Sequence, residues 1–233
     1  MILERIVLLL GQVPPDGGVM YAETNLRYIV AEPWNAISSL TFWIPVFYWY
    51  YRLRYRLKEY PFIALCLPLL FLGGLGSALF HAFRASPILL LMDILPILVL
   101  TIALSIYFWL KVLPHWSWVF LIIIPYFIIQ ALVIMYLPSP MRINLAYFMR
   151  GTIMFLPAVL LLRKIHYNFL KSLLLGVLFF ILALVFRSLD KEATFLMYMG
   201  SHWLWHISTA VGSYYIAEFL YRYKNYEREV SSG

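Results

Sequence analysis

Runs of about twenty residues that are almost free of charge dominate this sequence and limit what it can fold into. At 1.5 Å per helical residue, about 20 residues cross a hydrocarbon core of about 30 Å. The chain is 64% hydrophobic and 12% charged, whereas a soluble domain is roughly 45–50% apolar. The sequence therefore predicts an all-α, polytopic membrane protein with one domain, a bundle of seven transmembrane helices. The predicted spans are residues 31–51, 61–80, 87–110, 116–136, 143–162, 169–186 and 199–220.

The basic residues predict how these spans are oriented. Loops that face the cytoplasm carry an excess of Lys and Arg. The odd-numbered spans are followed by Arg52, Arg54, Arg56, Lys58, Lys111, Arg163, Lys164, Lys171, Arg222, Lys224 and Arg228, and the even-numbered spans only by Arg84, Arg142, Arg187 and Lys191. We therefore expect an outer or lumenal N-terminus and a cytoplasmic tail at residues 221–233.

This distribution also explains the net charge of +7 without a nucleic-acid partner. The expected location is the cytoplasmic membrane of a prokaryote or the ER/Golgi of a eukaryote. Residues 1–30 are predicted to be an N-terminal segment at the interface, because residues 1–10 place their apolar side chains on one side of a short helix. The single cysteine, Cys66, excludes a disulfide framework and a thiolate zinc site. The sequence leaves the oligomeric state open.

The ionisable residues inside the spans predict a metal centre. His202 and His206 are spaced i and i+4, so a helix presents both imidazoles on one face. The predicted orientation puts His81, at the end of the second span, and Asp93, near the start of the third, at the same outer depth. Three neutral imidazoles with an open fourth position are a ligand set for catalytic Zn²⁺, which lowers the pKa of a bound water to about 7.

Asp93 is the candidate for orienting and deprotonating that water, and Ser77, one helical turn before His81, is the candidate donor to the oxyanion. Polar residues also recur every three positions at the start of the first span, at Glu32, Asn35 and Ser38. Small polar residues in membrane helices often bond a backbone carbonyl instead. That alternative stays open for Ser38, Ser77 and Ser213.

These motifs resemble the alkaline ceramidases, which belong to a superfamily of seven-helix membrane hydrolases that also includes the adiponectin and progestin receptors. The similarity runs from about residue 21 to residue 215. It rests on Glu32-x-x-Asn35-x-x-Ser38, Ser77-x-x-x-His81, Asp93 followed by Leu95-Pro96, and His202-x-x-x-His206.

The resemblance implies a zinc amidase that hydrolyses the N-acyl bond of ceramide, or of a related N-acyl lipid, to a fatty acid and a sphingoid base or amine. It assigns zinc to His81, His202 and His206, the water to Asp93 and the oxyanion to Ser77. The other expected partners of the protein are membrane lipids. Further residues are expected around the zinc ligands: Ser213, Asn35, Ser38 and Trp205.

The resemblance also raises a calcium site built from an acidic segment before the first span. Met20 stands where a further Asp is expected, so calcium remains open against the alternative of a hydrogen-bonded lid. The residues concerned, as calcium ligands or as an entrance network, are Asp16, Tyr21, Glu23, Asn25 and Glu32.

Two other functions are compatible with the same residues. One is a lipid receptor or sensor with a structural zinc site. The other is a transporter or channel that uses Asp93 and the histidines as a proton relay, although the sequence lacks the inverted repeats expected of such a protein.

Overall fold

The protein is described by a computed structural model that covers residues 14–138 and 141–232. Within these residues it consists of α-helices and short 3₁₀ turns, without β-strands, in agreement with the predicted all-α class. The predicted interfacial helix at residues 1–10 lies outside the described residues. The helices are α1 (Pro33–Ser39), α2 (Trp43–Leu53), α3 (Pro61–Phe83), α4 (Pro87–Val112), α5 (Trp118–Tyr136), α6 (Met141–Lys164), α7 (Leu170–Ser188) and α8 (His202–Ser232).

The first predicted span is not one continuous helix. A 3₁₀ turn, Leu40–Phe42, separates α1 from α2. Pro45 lacks the N–H group that would bond the carbonyl of Thr41, so the α-helical ladder cannot run unbroken through this point. Here Thr41 Oγ1 donates to the carbonyl of Ser38 at 2.6 Å. The break leaves the polar residues of α1 on a short helix of their own.

Five of the helices, α3 to α7, are long and apolar enough to cross a membrane. Their ends lie within three residues of the predicted spans. The last helix begins at His202, close to the predicted start, but continues to Ser232. The segment expected to be a tail is therefore helical, and it packs on the bundle through Arg228 and Glu59, whose Nη1 and Oε2 atoms are 2.8 Å apart.

Glycines decide how closely α3 approaches its neighbours. A Cβ added at Gly76 would lie 2.1 Å from the carbonyl oxygen of Met92, and one at Gly73 would lie 2.4 Å from Cδ1 of Ile97. Helices α3 and α4 therefore cross with their backbones almost in contact, as small residues allow in membrane bundles. This crossing brings Ser77 and His81 beside the turn of α4 that carries Asp93.

Helix α8 completes the arrangement around the site. It packs along α7 and also contacts α1, α2 and α3. The polar face of α1 is thus enclosed between α3 and α8, and Asn35 and Ser39 are fully buried there.

Candidate metal centre and active site

The three histidines singled out in the sequence lie together in the interior. His81 comes from the end of α3, and His202 and His206 come from the first turns of α8. One ligand atom from each lies within 4.8 Å of the others. All three side chains are at most 2% exposed. They are the one group of this kind within residues 14–138 and 141–232.

Asp190 fixes the start of α8 and therefore both histidines on it. Its Oδ1 accepts the backbone N–H groups of Ser201 and His202, both at 2.9 Å. These are donors that the first turn of a helix leaves without an intrahelical partner. The other oxygen, Oδ2, accepts the N–H of Ala22 at 2.8 Å. One carboxylate therefore connects the N-terminal segment to the helix that carries two of the three imidazoles.

Hydrogen bonds set the orientation of two imidazoles. Glu32 Oε2 lies 2.5 Å from Nδ1 of His81, so that nitrogen donates and Nε2 is left to bind a metal. Ser38 Oγ donates to the carbonyl of Asn35 at 3.1 Å and lies 2.8 Å from Nδ1 of His206. With the serine proton on the Asn35 carbonyl, Nδ1–H of His206 is the donor in this contact, and Nε2 is again left for a ligand. Such outer partners are typical of metal-binding histidines.

The third imidazole, His202, is held by ring contacts. The ring of Tyr21 stacks on it with centroids 3.9 Å apart, and the ring of Trp205 lies parallel to it at 6.4 Å. Nδ1 of His202 is buried without a hydrogen-bond partner among the described residues. A buried nitrogen without a partner is costly. Three converging imidazoles, one of them unsatisfied, fit a metal ion such as Zn²⁺.

Asp93 and Ser77 line the same cavity as the three histidines. This cavity has a volume of about 320 Å³. Ser77 is buried, and Ser39 Oγ lies 3.0 Å from its hydroxyl oxygen. Most of the remaining lining is apolar. The cavity thus combines metal-binding nitrogens, a carboxylate and a hydroxyl with walls that suit a hydrocarbon chain.

The other residues expected near the zinc ligands divide into two groups. Asn35 lies beside the site, because its Nδ2 donates to Glu32 Oε2 at 3.2 Å. Ser38 and Trp205 contact two of the imidazoles directly, as described above. Ser213 does not belong to this group: its Oγ donates to the carbonyl of Thr209 at 2.8 Å, and it lines a neighbouring, apolar cavity. The backbone-bonded alternative describes Ser213.

The side chains expected to bind calcium are already bonded to protein groups. Both oxygens of Glu23 accept backbone N–H groups at the start of α1, from Trp34 at 2.6 Å and Asn35 at 3.0 Å. Asn25 Oδ1 accepts the N–H of Arg27 at 3.2 Å. Among the described residues the acidic ones belong to no group of three or more His, Cys, Asp or Glu side chains close enough to share a metal ion. The arrangement resembles the hydrogen-bonded lid more than it resembles a calcium site.

Two arginines near the site, Arg84 and Arg187, had no role assigned to them from the sequence. Arg84 is fully buried and bonds both Asp16 and Glu32. Arg187 lines the cavity beside Asp93. Its Nη1 donates to the hydroxyl of Tyr21 at 3.3 Å, and its guanidinium lies 4.5 Å from the ring centroid of Tyr147. Both arginines stand at the ends of apolar spans, where a basic residue is ordinarily explained by the membrane interface.

Tyr21 therefore joins the N-terminal segment to the site through contacts with His202, Arg187 and His81, whose ring centroid lies 5.2 Å from its own. Burial raises the pKa of Tyr21 to about 12. The phenol consequently stays protonated well above neutral pH.

Comparison with known proteins agrees with this arrangement. No curated protein sequence matches the chain significantly. A family model described as Ceramidase matches residues 21–231, a range that includes the three histidines, Asp93 and Ser77. The match covers nearly the whole chain, and the chain therefore belongs to the ceramidase family.

Proposed function

We propose that this protein is a zinc-dependent intramembrane amidase that hydrolyses the N-acyl bond of ceramide or of a related N-acyl lipid. The products are a free fatty acid and a sphingoid base or amine. The observation that carries the proposal is the group of three buried imidazoles in one cavity with Asp93 and Ser77, in a chain of the ceramidase family.

The proposed zinc ligands are His81, His202 and His206. When bound, zinc supplies a water with a pKa of about 7 and polarises the amide carbonyl. Glu32 and Ser38 keep two of the imidazoles in the tautomer that leaves Nε2 free. Desolvation of the site strengthens these electrostatic effects.

Asp93 is proposed as the general base and Ser77 as the donor to the oxyanion. The carboxylate of Asp93 takes a proton from the attacking water while the water oxygen bonds the carbonyl carbon of the substrate. When the C–N bond breaks, that proton passes to the leaving nitrogen. Ser39, whose Oγ lies 3.0 Å from Ser77 Oγ, is proposed to hold the Ser77 side chain in place. A general base typically raises the rate of such a reaction about 10²–10⁴-fold. A preorganised oxyanion donor typically raises it about 10²–10³-fold.

The apolar part of the cavity, between α4, α6 and α7, is proposed to take the acyl chain. Ile97, Phe155 and Phe180 are among its lining residues. The predicted orientation of the helices places the site toward the outer or lumenal side, so the lipid would enter from that leaflet.

The test is metal content and lipid turnover in purified protein reconstituted with lipid. Wild type should contain one zinc ion per chain and release fatty acid from a labelled ceramide. His81→Ala and His202→Ala should lose both. The matched controls are His115→Ala and His166→Ala, because both of these histidines are exposed and lie in loops.

Two outcomes contradict the proposal. If the His81→Ala and His202→Ala proteins retain zinc and activity, these residues are not the ligands. If wild type binds zinc but hydrolyses neither ceramide nor other N-acyl lipids in a substrate panel, a receptor with a structural zinc site is favoured.

A further inference from the structure

Arg84 is a buried cation that the proposed reaction does not use. It follows α3, three residues after His81, and its side chain is 0% exposed. Its backbone has φ +47°, in the left-handed region, which glycine adopts far more readily than a residue with a side chain. An arginine held there without solvent needs specific partners.

Its partners are two carboxylates from the N-terminal part of the chain. Nε and Nη2 bond the two oxygens of Asp16 at 2.7 and 3.1 Å. Nη1 bonds Oε1 of Glu32, which also accepts the hydroxyl of Thr24 at 2.5 Å. Asp16 is 2% exposed and Glu32 is 0% exposed. The guanidinium thus bridges two buried carboxylates, in the planar forked geometry that arginine offers and lysine does not.

Glu32 carries this arrangement to the metal centre. Its Oε1 is bonded to Arg84, and its Oε2 lies 2.5 Å from Nδ1 of His81. Asp16, Arg84, Glu32 and His81 form one continuous chain of contacts. A shift of the guanidinium would move the carboxylate that orients the imidazole.

The same carboxylates include those that the family resemblance would give to calcium. The guanidinium already supplies a positive charge between Asp16 and Glu32, and the oxygens of Glu23 are taken by the backbone of α1. Met20 adds no carboxylate. A calcium ion needs six to eight oxygen ligands, and while the guanidinium of Arg84 occupies the oxygens of Asp16 and Glu32, these residues do not offer them.

We propose that Arg84 takes the place of a calcium ion: it is a built-in cation that positions Glu32 and, through it, the imidazole of His81. The protein therefore holds its zinc without calcium. Arg84 is a positioning residue, since it contacts neither the cavity nor the imidazoles. The inference rests on the proposed zinc site.

The first experiment measures calcium binding to the zinc-loaded wild-type protein by equilibrium dialysis with ⁴⁵Ca²⁺. We expect no stoichiometric binding up to about 1 mM, the weak end of protein calcium sites. Binding of one calcium ion per chain at micromolar concentration would overturn the proposal. This measurement requires neither a variant nor enzymatic activity.

The second experiment compares zinc affinity in wild type, Arg84→Ala and Arg84→Lys by competition with a chromogenic chelator. Loss of an outer partner of a metal ligand typically weakens metal binding about 10- to 100-fold, so we expect a loss of this size in Arg84→Ala. Arg84→Lys should lose less, because it keeps the charge without the fork. Arg52→Ala is the matched control, because it removes an arginine that pairs with Glu218 at 3.0 Å, outside the His81 network.

Calcium itself separates a positioning role from general stability. In Arg84→Ala the carboxylates of Asp16 and Glu32 lose their cation, so added calcium should partly restore zinc affinity and the visible spectrum of the Co²⁺-substituted protein. An unchanged zinc affinity in Arg84→Ala, or no response of the weakened variant to calcium, would overturn the proposal. If the wild-type protein binds no zinc, the proposed function fails, and the dialysis still decides whether calcium binds.

Discussion

The crossing of α3 and α4 at Gly76 should control where Asp93 sits relative to the histidines. Gly76→Ala would place a Cβ 2.1 Å from the carbonyl oxygen of Met92, 2.4 Å from its carbonyl carbon and 3.0 Å from the backbone nitrogen of Asp93. All three are backbone atoms, so no side-chain rotation can relieve the overlap. The two helices must move apart.

The required movement follows from these distances. A carbon and a carbonyl oxygen in contact are about 3.3 Å apart, so the separation must grow by about 3.3 − 2.1 = 1.2 Å. A displacement of about 1 Å at a catalytic site can cost about 100-fold in rate. We therefore expect kcat to fall about 100-fold. The overpacking should also lower the free energy of unfolding by about 1–3 kcal/mol.

The assay is ceramide turnover at a temperature at which the variant is folded, together with zinc content and thermal unfolding. Gly151→Ala is the matched control, because Gly151 lines the same cavity and its added Cβ meets nothing within 4 Å. Gly73→Ala should fall between the two, since it meets the end of the Ile97 side chain.

Zinc should remain bound in Gly76→Ala, because all three imidazoles lie on α3 and α8. Wild-type kcat and stability in Gly76→Ala would refute the close backbone crossing. A lowered stability with unchanged kcat would refute the role assigned to Asp93.

Two further predictions concern the partners of the histidines. Asp190→Ala removes the acceptor of two backbone N–H groups at the start of α8, each 2.9 Å away. Thermal unfolding should therefore show that the free energy of unfolding falls by about 0.5–2 kcal/mol or more. An unchanged stability would contradict this capping role. Ser38→Ala removes the acceptor 2.8 Å from Nδ1 of His206 and should weaken zinc binding about 10- to 100-fold. Ser213→Ala should leave zinc affinity at the wild-type value. Equal effects of the two substitutions would contradict the role of Ser38 as the serine that orients His206.

Local sequence was sufficient for the long apolar helices and for the grouping of the three histidines. Apolar runs of membrane-spanning length predicted α3 to α7 within a few residues, because helix length follows the thickness of the bilayer. The i, i+4 spacing of His202 and His206 put both rings on one face, and the basic clusters placed His81 and Asp93 at a matching depth. These inferences require only helical geometry and charge distribution.

Other features depended on contacts that no local pattern contains. The 3₁₀ turn before Pro45 makes α1 a separate polar helix, although residues 31–51 taken together have the composition of a transmembrane span. Ser38 and Ser213 look alike in sequence, and each donates to a carbonyl of its own helix. Helix rotation also brings Ser38 Oγ within 2.8 Å of Nδ1 of His206. Arg84 and Asp190 stood in predicted loops, where charged residues usually meet water.

The sequence by itself determined that this chain is a helical membrane bundle with histidines and an aspartate able to meet at one depth. Only the tertiary structure decided which cation stands beside Glu32, which carboxylate begins α8 and which serine orients an imidazole. The physical reason is the separation along the chain: these contacts join residues 11 to 168 positions apart. They depend on how helices rotate and how loops fold back over the site, and short-range periodicity carries no information about either.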